Sequence, residues 1–202
     1  MKILKLLTLA VALALPSLAA QAAPRSGGPT PQPGFALFCE GPYALCIKAP
    51  CVPVVNANGS VSTVVCSCTV EQGWSMGPAE CAKRRPVKHG SSTHLMSTYS
   101  NYYNDQEQNL TCKNEKQQWA NCYGAPCISD DSEPDRAHCN CPVRPGEMVT
   151  LGGRCDKGNC SKMWSAARPK ENTFANNNFY NYMKTNHPNY PAKPPAKVCG
   201  AI

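Results

Sequence analysis

The sequence predicts a small disulfide-rich fold of β-hairpins and short helices, arranged as two tandem repeat modules. Three observations carry that expectation. Six cysteines, Cys39, Cys46, Cys51, Cys66, Cys68 and Cys81, are echoed by six more, Cys112, Cys122, Cys127, Cys139, Cys141 and Cys155. The segments ALCIKAPC (44–51) and ANCYGAPC (120–127) match most closely, and a C-x-C pair follows each. Finally, Leu, Ile, Val and Phe supply only 23 of the 180 residues beyond position 22. A chain so poor in these residues struggles to bury enough apolar surface. Disulfides, each contributing on the order of 2–4 kcal/mol by restricting the unfolded chain, are expected to make up the core.

Residues 1–22 read as an export signal in the bacterial style. Lys2 and Lys5 precede an apolar run from Ile3 to Leu15, and Ala20-Gln21-Ala22 is an A-x-A cleavage signature. All 14 cysteines follow it. An even count suits full pairing in an oxidising compartment, so the protein is expected to be secreted or periplasmic. No second apolar stretch follows, and no membrane span is expected in the mature form.

Residues 23–34 (APRSGGPTPQPG) form a flexible Pro/Gly-rich leader. The first module is expected over 35–104, a polar connector over 105–111, the second module over 112–184, and a Pro-rich tail over 185–202. Cys160 and Cys199 have no counterpart in the repeat, so a bond between them is the economical way to pin the tail.

Within the first module, CVPVVNANGSVSTVVCSCTV (51–70) holds two Val/Thr-rich runs around Asn58-Gly59, a strong hairpin signal. The second module has an Asp/Ser/Pro turn in the same place, with poorer strand propensity. Residues two apart on a strand face the same side, so Cys66 and Cys68, like Cys139 and Cys141, should reach different partners. TYSNYYN (98–104) and NFYNYMK (178–184) place Tyr99, Tyr102, Tyr103 and Phe179, Tyr182, Met183 at i, i+3, i+4. That spacing gives each module a short helix whose aromatic face packs on its own module or stays open for contact.

The spacings C-x6-C-x4-C-x14-C-x-C-x12-C and C-x9-C-x4-C-x11-C-x-C-x13-C resemble those of EGF-like modules. Gly73-Trp74 after the first C-x-C resembles the glycine–aromatic pair of that family, and Gly146 stands in the corresponding place. Gly73 lies two residues late, Glu147 replaces the second aromatic, and the acidic calcium-binding motif is missing. The resemblance covers about half the mature chain and bears on architecture only. It implies the pairings 39–51, 46–66, 68–81 and 112–127, 122–139, 141–155.

Charge narrows the function classes. The chain carries 20 basic and 13 acidic side chains, and the densest positive run is Lys83-Arg84-Arg85-Pro86-Val87-Lys88. It reads as a solvated loop or a contact for an anionic surface. Nucleic-acid binding is not expected, because no recognition motif accompanies the charge. No catalytic motif is present, so no catalytic residue and no cofactor is expected. His89 and His94, five apart in a Gly/Ser-rich loop, have a poor helical ligand spacing. His138, Cys139 and Cys141 could hold a soft metal, but disulfides are the favoured fate and no metal is expected.

The expected role is non-catalytic recognition of a protein or polysaccharide surface. Lys83, Arg84, Arg85, Lys88, Tyr99, Tyr102 and Trp164 are the candidate contacts, and Trp74, Trp119 and Trp164 are also candidate core. A secreted inhibitor or toxin-like protein is the second class, with Ile47-Lys48-Ala49 and the Asn56–Gly59 turn as presented loops. A small hydrolase with a carboxylate pair is the third.

Overall fold

The computed structural model describes residues 36–46, 49–101, 109–113, 116–151, 160–191 and 198–199. The expected signal segment, leader and connector 105–108 lie outside these residues, as do Tyr102, Tyr103 and Cys155. No helix among the described residues is long and apolar enough to cross a membrane.

The strands are β1 (Leu37–Leu45), β2 (Cys51–Val55), β3 (Val61–Gly77), β4 (Val87–His89), β5 (Ser92–Thr98), β6 (Asn109–Cys112), β7 (Gln118–Ala120), β8 (Pro126–Asp130), β9 (Glu133–Pro145), β10 (Met148–Leu151) and β11 (Val198–Cys199). Among the described residues one α-helix, α1 (Pro169–Asn186), follows β10, and a 3-10 turn spans Cys81–Arg84. The pairings β1–β3, β3–β9, β9–β8, β8–β5 and β5–β1 close on themselves as a ring. Closure leaves these five strands without the open edge that a flat sheet would expose. A second, three-stranded sheet runs β10–β6–β11. In it the tail is held by backbone pairing, Cys199 opposite Leu110.

The hairpin expected around Asn58-Gly59 is present as β2–β3. Gly59 N–H donates to the Asn56 carbonyl, and Gly59 itself lies at φ 78°, a conformation that suits glycine. The second hairpin, β8–β9, turns at Asp131-Ser132, with the Ser132 N–H and hydroxyl both donating to Asp130 Oδ1.

The disulfides differ from the order implied by the EGF resemblance. The bonds are Cys39–Cys81, Cys46–Cys68 and Cys51–Cys66, then Cys112–Cys160, Cys122–Cys141 and Cys127–Cys139. Each trio is nested rather than interleaved, because antiparallel pairing runs the partner numbers in opposite directions. Cys51 lies opposite Cys66 on β3, and Cys127 opposite Cys139 on β9. Cys160 bonds to Cys112, so the expected Cys160–Cys199 bond is not formed. The inference that the two cysteines of each C-x-C reach different partners holds for both pairs.

Four of these bonds, Cys46–Cys68, Cys51–Cys66, Cys122–Cys141 and Cys127–Cys139, fill the ring. Its buried cluster contains Cys46, Cys66, Cys68, Cys122, Cys127, Cys139 and Cys141 beside Ala44, Val64, Leu95 and Ala137. Sulfur does here what leucine and isoleucine do in an ordinary small domain.

The helices also depart from expectation. TYSNYYN does not open as a helix: Thr98 ends β5, and Tyr99 exchanges both backbone hydrogen bonds with Met76. Those sheet bonds consume the groups that a helix would need. NFYNYMK is helical, inside the longer α1, with Pro169 at its first turn, Glu171 near its N-terminus and Lys184 near its C-terminus. Phe179 and Met183 are fully buried, but not against their own half of the chain. They pack on Ala36, Trp74 and Met76, while Tyr182 stacks on Phe38 at 3.8 Å. The helix from the second half thus covers the first half.

Candidate ligand-binding cleft

A cleft of about 230 Å³ lies where α1 meets the end of the ring. Backbone hydrogen bonds fix its walls. Gly124 N–H donates to the Ser97 carbonyl and Ser97 N–H to the Ala125 carbonyl, which ties the 121–125 loop to β5. Gly124 suits this place twice over: its φ is 77°, and a Cβ there would lie 2.7 Å from Pro78 Cγ. On the opposite wall, Ala166 N–H donates to the Ala120 carbonyl, and Val149 and Ala167 exchange both bonds. The Thr150 hydroxyl donates to the Ser165 carbonyl at 3.0 Å.

The lining is apolar and aromatic with neutral polar groups set into it. Met76, Tyr99, Tyr123, Phe174 and Ala175 are apolar or aromatic members of the lining; Ser97, Thr98, Asn121 and Asn172 are neutral polar ones. Glu171 is the single charged residue among the lining residues. Tyr123 and Phe174 remain 37% and 48% exposed, an uncommon cost for aromatic surface in a chain so short of apolar residues. Thr98 Oγ1 is buried, and among the described residues it has no hydrogen-bond partner. A buried hydroxyl without a partner normally costs a fraction of a folded protein's stability, and such groups often mark functional positions.

Titration reflects this burial. Burial raises the Tyr99 phenol well above the ordinary tyrosine range; its hydroxyl donates to Asn176 Oδ1 on α1. Burial pushes Tyr123 up to about 12, opposed by the Arg84 guanidinium. Arg84 in turn is pushed down to about 10 by burial, opposed by Tyr123 and Tyr43.

The candidate contacts fall in different places. Tyr99 lines the cleft. Trp164 lies beside it, half-buried, with the Lys162 ammonium 6.0 Å from its ring centre. Lys83, Arg85 and Lys88 are exposed, and Lys88 pairs with Asp131. Arg84 departs from the expected patch. It is buried, donating from Nη1 to the Leu37 carbonyl at 2.9 Å and from Nη2 to the Ser75 hydroxyl. The guanidinium fork crosslinks β1 to β3, a job for which its planar donors suit it. Of the loops named for an inhibitor, Ile47 and Lys48 lie outside the described residues and Ala49 is buried, whereas the Asn56–Gly59 turn is exposed.

Tyr123, Phe174 and Thr98 carry no local signal of a shared site, because three distant segments meet only after the ring closes. The sulfurs of His138's neighbours are both in disulfides, Cys139 to Cys127 and Cys141 to Cys122. Six buried sulfurs gather as two triads, Cys46/Cys68/Cys139 and Cys66/Cys122/Cys141, but every one of these six is disulfide-bonded and offers no thiolate. Comparison with family models, with curated proteins and with solved structures gives no match.

Proposed function

We propose that this chain is an exported, non-catalytic recognition protein whose cleft holds one neutral sugar unit of a polysaccharide. The observation that carries the reading is the pairing of exposed aromatic rings, Tyr123 and Phe174, with uncharged hydroxyl and amide groups around the unpartnered Thr98 hydroxyl. A sugar ring offers an apolar C–H face to an aromatic and hydroxyls that both donate and accept. Ser, Thr and Asn side chains match that dual character; a charged ligand would meet Glu171 alone. The volume suits one residue-sized group rather than a long chain. The six disulfides among the described residues support an oxidising compartment, in keeping with the export signal read at residues 1–22.

We also infer that the chain consists of two copies of one cysteine-stapled unit. From Cys46 to Cys51 the chain advances five residues while the bonded cysteine on β3 steps back two, and the same offset recurs from Cys122 to Cys127 against β9.

A calorimetric screen of the oxidised protein against neutral oligosaccharides tests the function. Binding should weaken about tenfold in Tyr123→Ala and in Phe174→Ala while Lys83→Ala leaves it unchanged. Silence across neutral glycans, or equal binding by all three variants, would overturn the reading. The inhibitor reading is the second one, favoured by the β2–β3 arm, whose residues 52–60 are all exposed. Stoichiometric block of a protease or glycosidase, lost on replacing Asn56 and Asn58, would support it.

A further inference from the structure

His89 and His94 face each other across the β4–β5 hairpin, with ring centres 4.6 Å apart and both side chains exposed. We propose that this pair is a surface site for a divalent transition-metal ion that favours imidazole, Cu(II) above all. Five residues apart is a poor helical spacing, but the hairpin turns at Gly90, pairing His89 with Ser92 and His94 with Val87. Residues two apart on a strand share a face, so His89, Val87, Ser92 and His94 all point the same way.

The separation fits chelation. An ion about 2.0–2.1 Å from one nitrogen of each ring, at an angle between square and tetrahedral, sets the ring centres roughly 4.5–5.2 Å apart. The separation of the ring centres therefore matches the spacing that two imidazoles sharing one ion require. Copper(II) ranks highest among divalent first-row ions for such donors and accepts a right-angled pair, its remaining positions going to water.

The surroundings favour a cation. Following the register outward from β5, Ser92 lies opposite Asp130 and His94 opposite Ile128. The Asp130 carboxyl is held below the usual carboxylate range, chiefly by the hydrogen bonds from Ser132, with a further pull from Lys88. The ammonium of Lys88, on the same hairpin, is engaged by Asp131. One strand beyond Ile128, His138 continues the same row on β9, too far across the sheet to join the pair but a natural control.

The site tested is the tag-free, fully oxidised chain titrated with Cu(II), followed by calorimetry and electron paramagnetic resonance. One equivalent should bind with a nitrogen-rich signal. His89→Ala and His94→Ala should each weaken it about tenfold or more, and His138→Ala should leave it unchanged. Should either alanine variant lose its native near-ultraviolet dichroism, His89→Gln and His94→Gln serve in its place. Wild-type affinity no greater than that of the His89→Ala/His94→Ala double variant would overturn the site, as would loss of binding in His138→Ala alone.

Discussion

Cys66 on β3 sits directly opposite Cys139 on β9, yet the two are not bonded to each other. Each bonds back to its own hairpin partner, Cys51 or Cys127, at a Cα separation of 4.0 Å. Around this contact the Cys46–Cys68 bond lies against Cys139, with Cys46 and Cys139 sulfurs 3.3 Å apart. Cys122 and Cys141 sit against Cys66 in the same manner. Four disulfides thus meet at the seam of two hairpins and serve as the packed core.

The nested pattern is directly measurable. Peptide mapping of the oxidised protein should recover Cys51–Cys66 and Cys46–Cys68 separately from Cys127–Cys139 and Cys122–Cys141. Replacing Cys51 and Cys66 together by alanine should cost about 2–5 kcal/mol in urea unfolding. An interleaved 39–51, 46–66 map would refute the ladder.

Arg84→Ala should destabilise the fold by about 1.5–3 kcal/mol, since it strips charged hydrogen bonds from the Leu37 carbonyl and from Ser75 in a buried setting. Arg84→Lys should restore little, because an ammonium cannot span both strands. Lys83→Ala and Arg85→Ala should each stay within about 0.5 kcal/mol of wild type. Equal unfolding midpoints for all four variants would show that the Arg84 bonds carry no stability.

Much of the local chemistry was legible in the residues. Asn58-Gly59 announced its hairpin, the C-x-C pairs their split partners, and Phe179, Tyr182, Met183 their helical face. Long-range pairing was not legible. Six-cysteine spacing permits 15 pairings for one set, and only the register of β3 selects the nested one. Arg84 looked like one member of a positive run, because sequence cannot show that a 3-10 turn aims it inward. Tyr99 had helical spacing with Tyr102 and Tyr103, but its backbone is claimed by Met76. His89 and His94 lack a helical ligand spacing, and a hairpin is what pairs them. The cleft residues come from segments whose only connection is the closed ring.

Alkaline pH should loosen the seat of α1. The Tyr99 phenol is raised above its unfolded value of about 10, so its contribution is fully present below that pH and declines as pH rises beyond it. Stability followed by circular dichroism should fall above about pH 10. Tyr99→Phe should flatten that fall while losing the hydrogen bond to Asn176 at every pH. An identical alkaline slope in the variant would remove Tyr99 as the cause.

Pro53 guards the free edge of β2. The short 4.0 Å separation marks Cys51–Cys66 as a non-hydrogen-bonded pair, so the Cys51 N–H points away from β3, to the Met163 carbonyl. Two residues on, Pro53 faces the same way and has no N–H to offer, beside Val52, Val54 and Val55, which are all exposed. Pro53→Val should therefore promote concentration-dependent association in light scattering without lowering the unfolding midpoint. A variant as monodisperse as wild type would show that proline is not the guard.

The most direct measurement is an amide-resolved NMR titration of the oxidised protein with a neutral oligosaccharide. Shifts are expected to concentrate at Ser97–Tyr99, Asn121–Tyr123, Ser165–Ala167 and Glu171–Ala175. Saturating shifts confined to the β2–β3 arm or to the basic turn at Lys83 and Arg85, with the cleft amides unmoved, would contradict the assignment of the cleft as the recognition site.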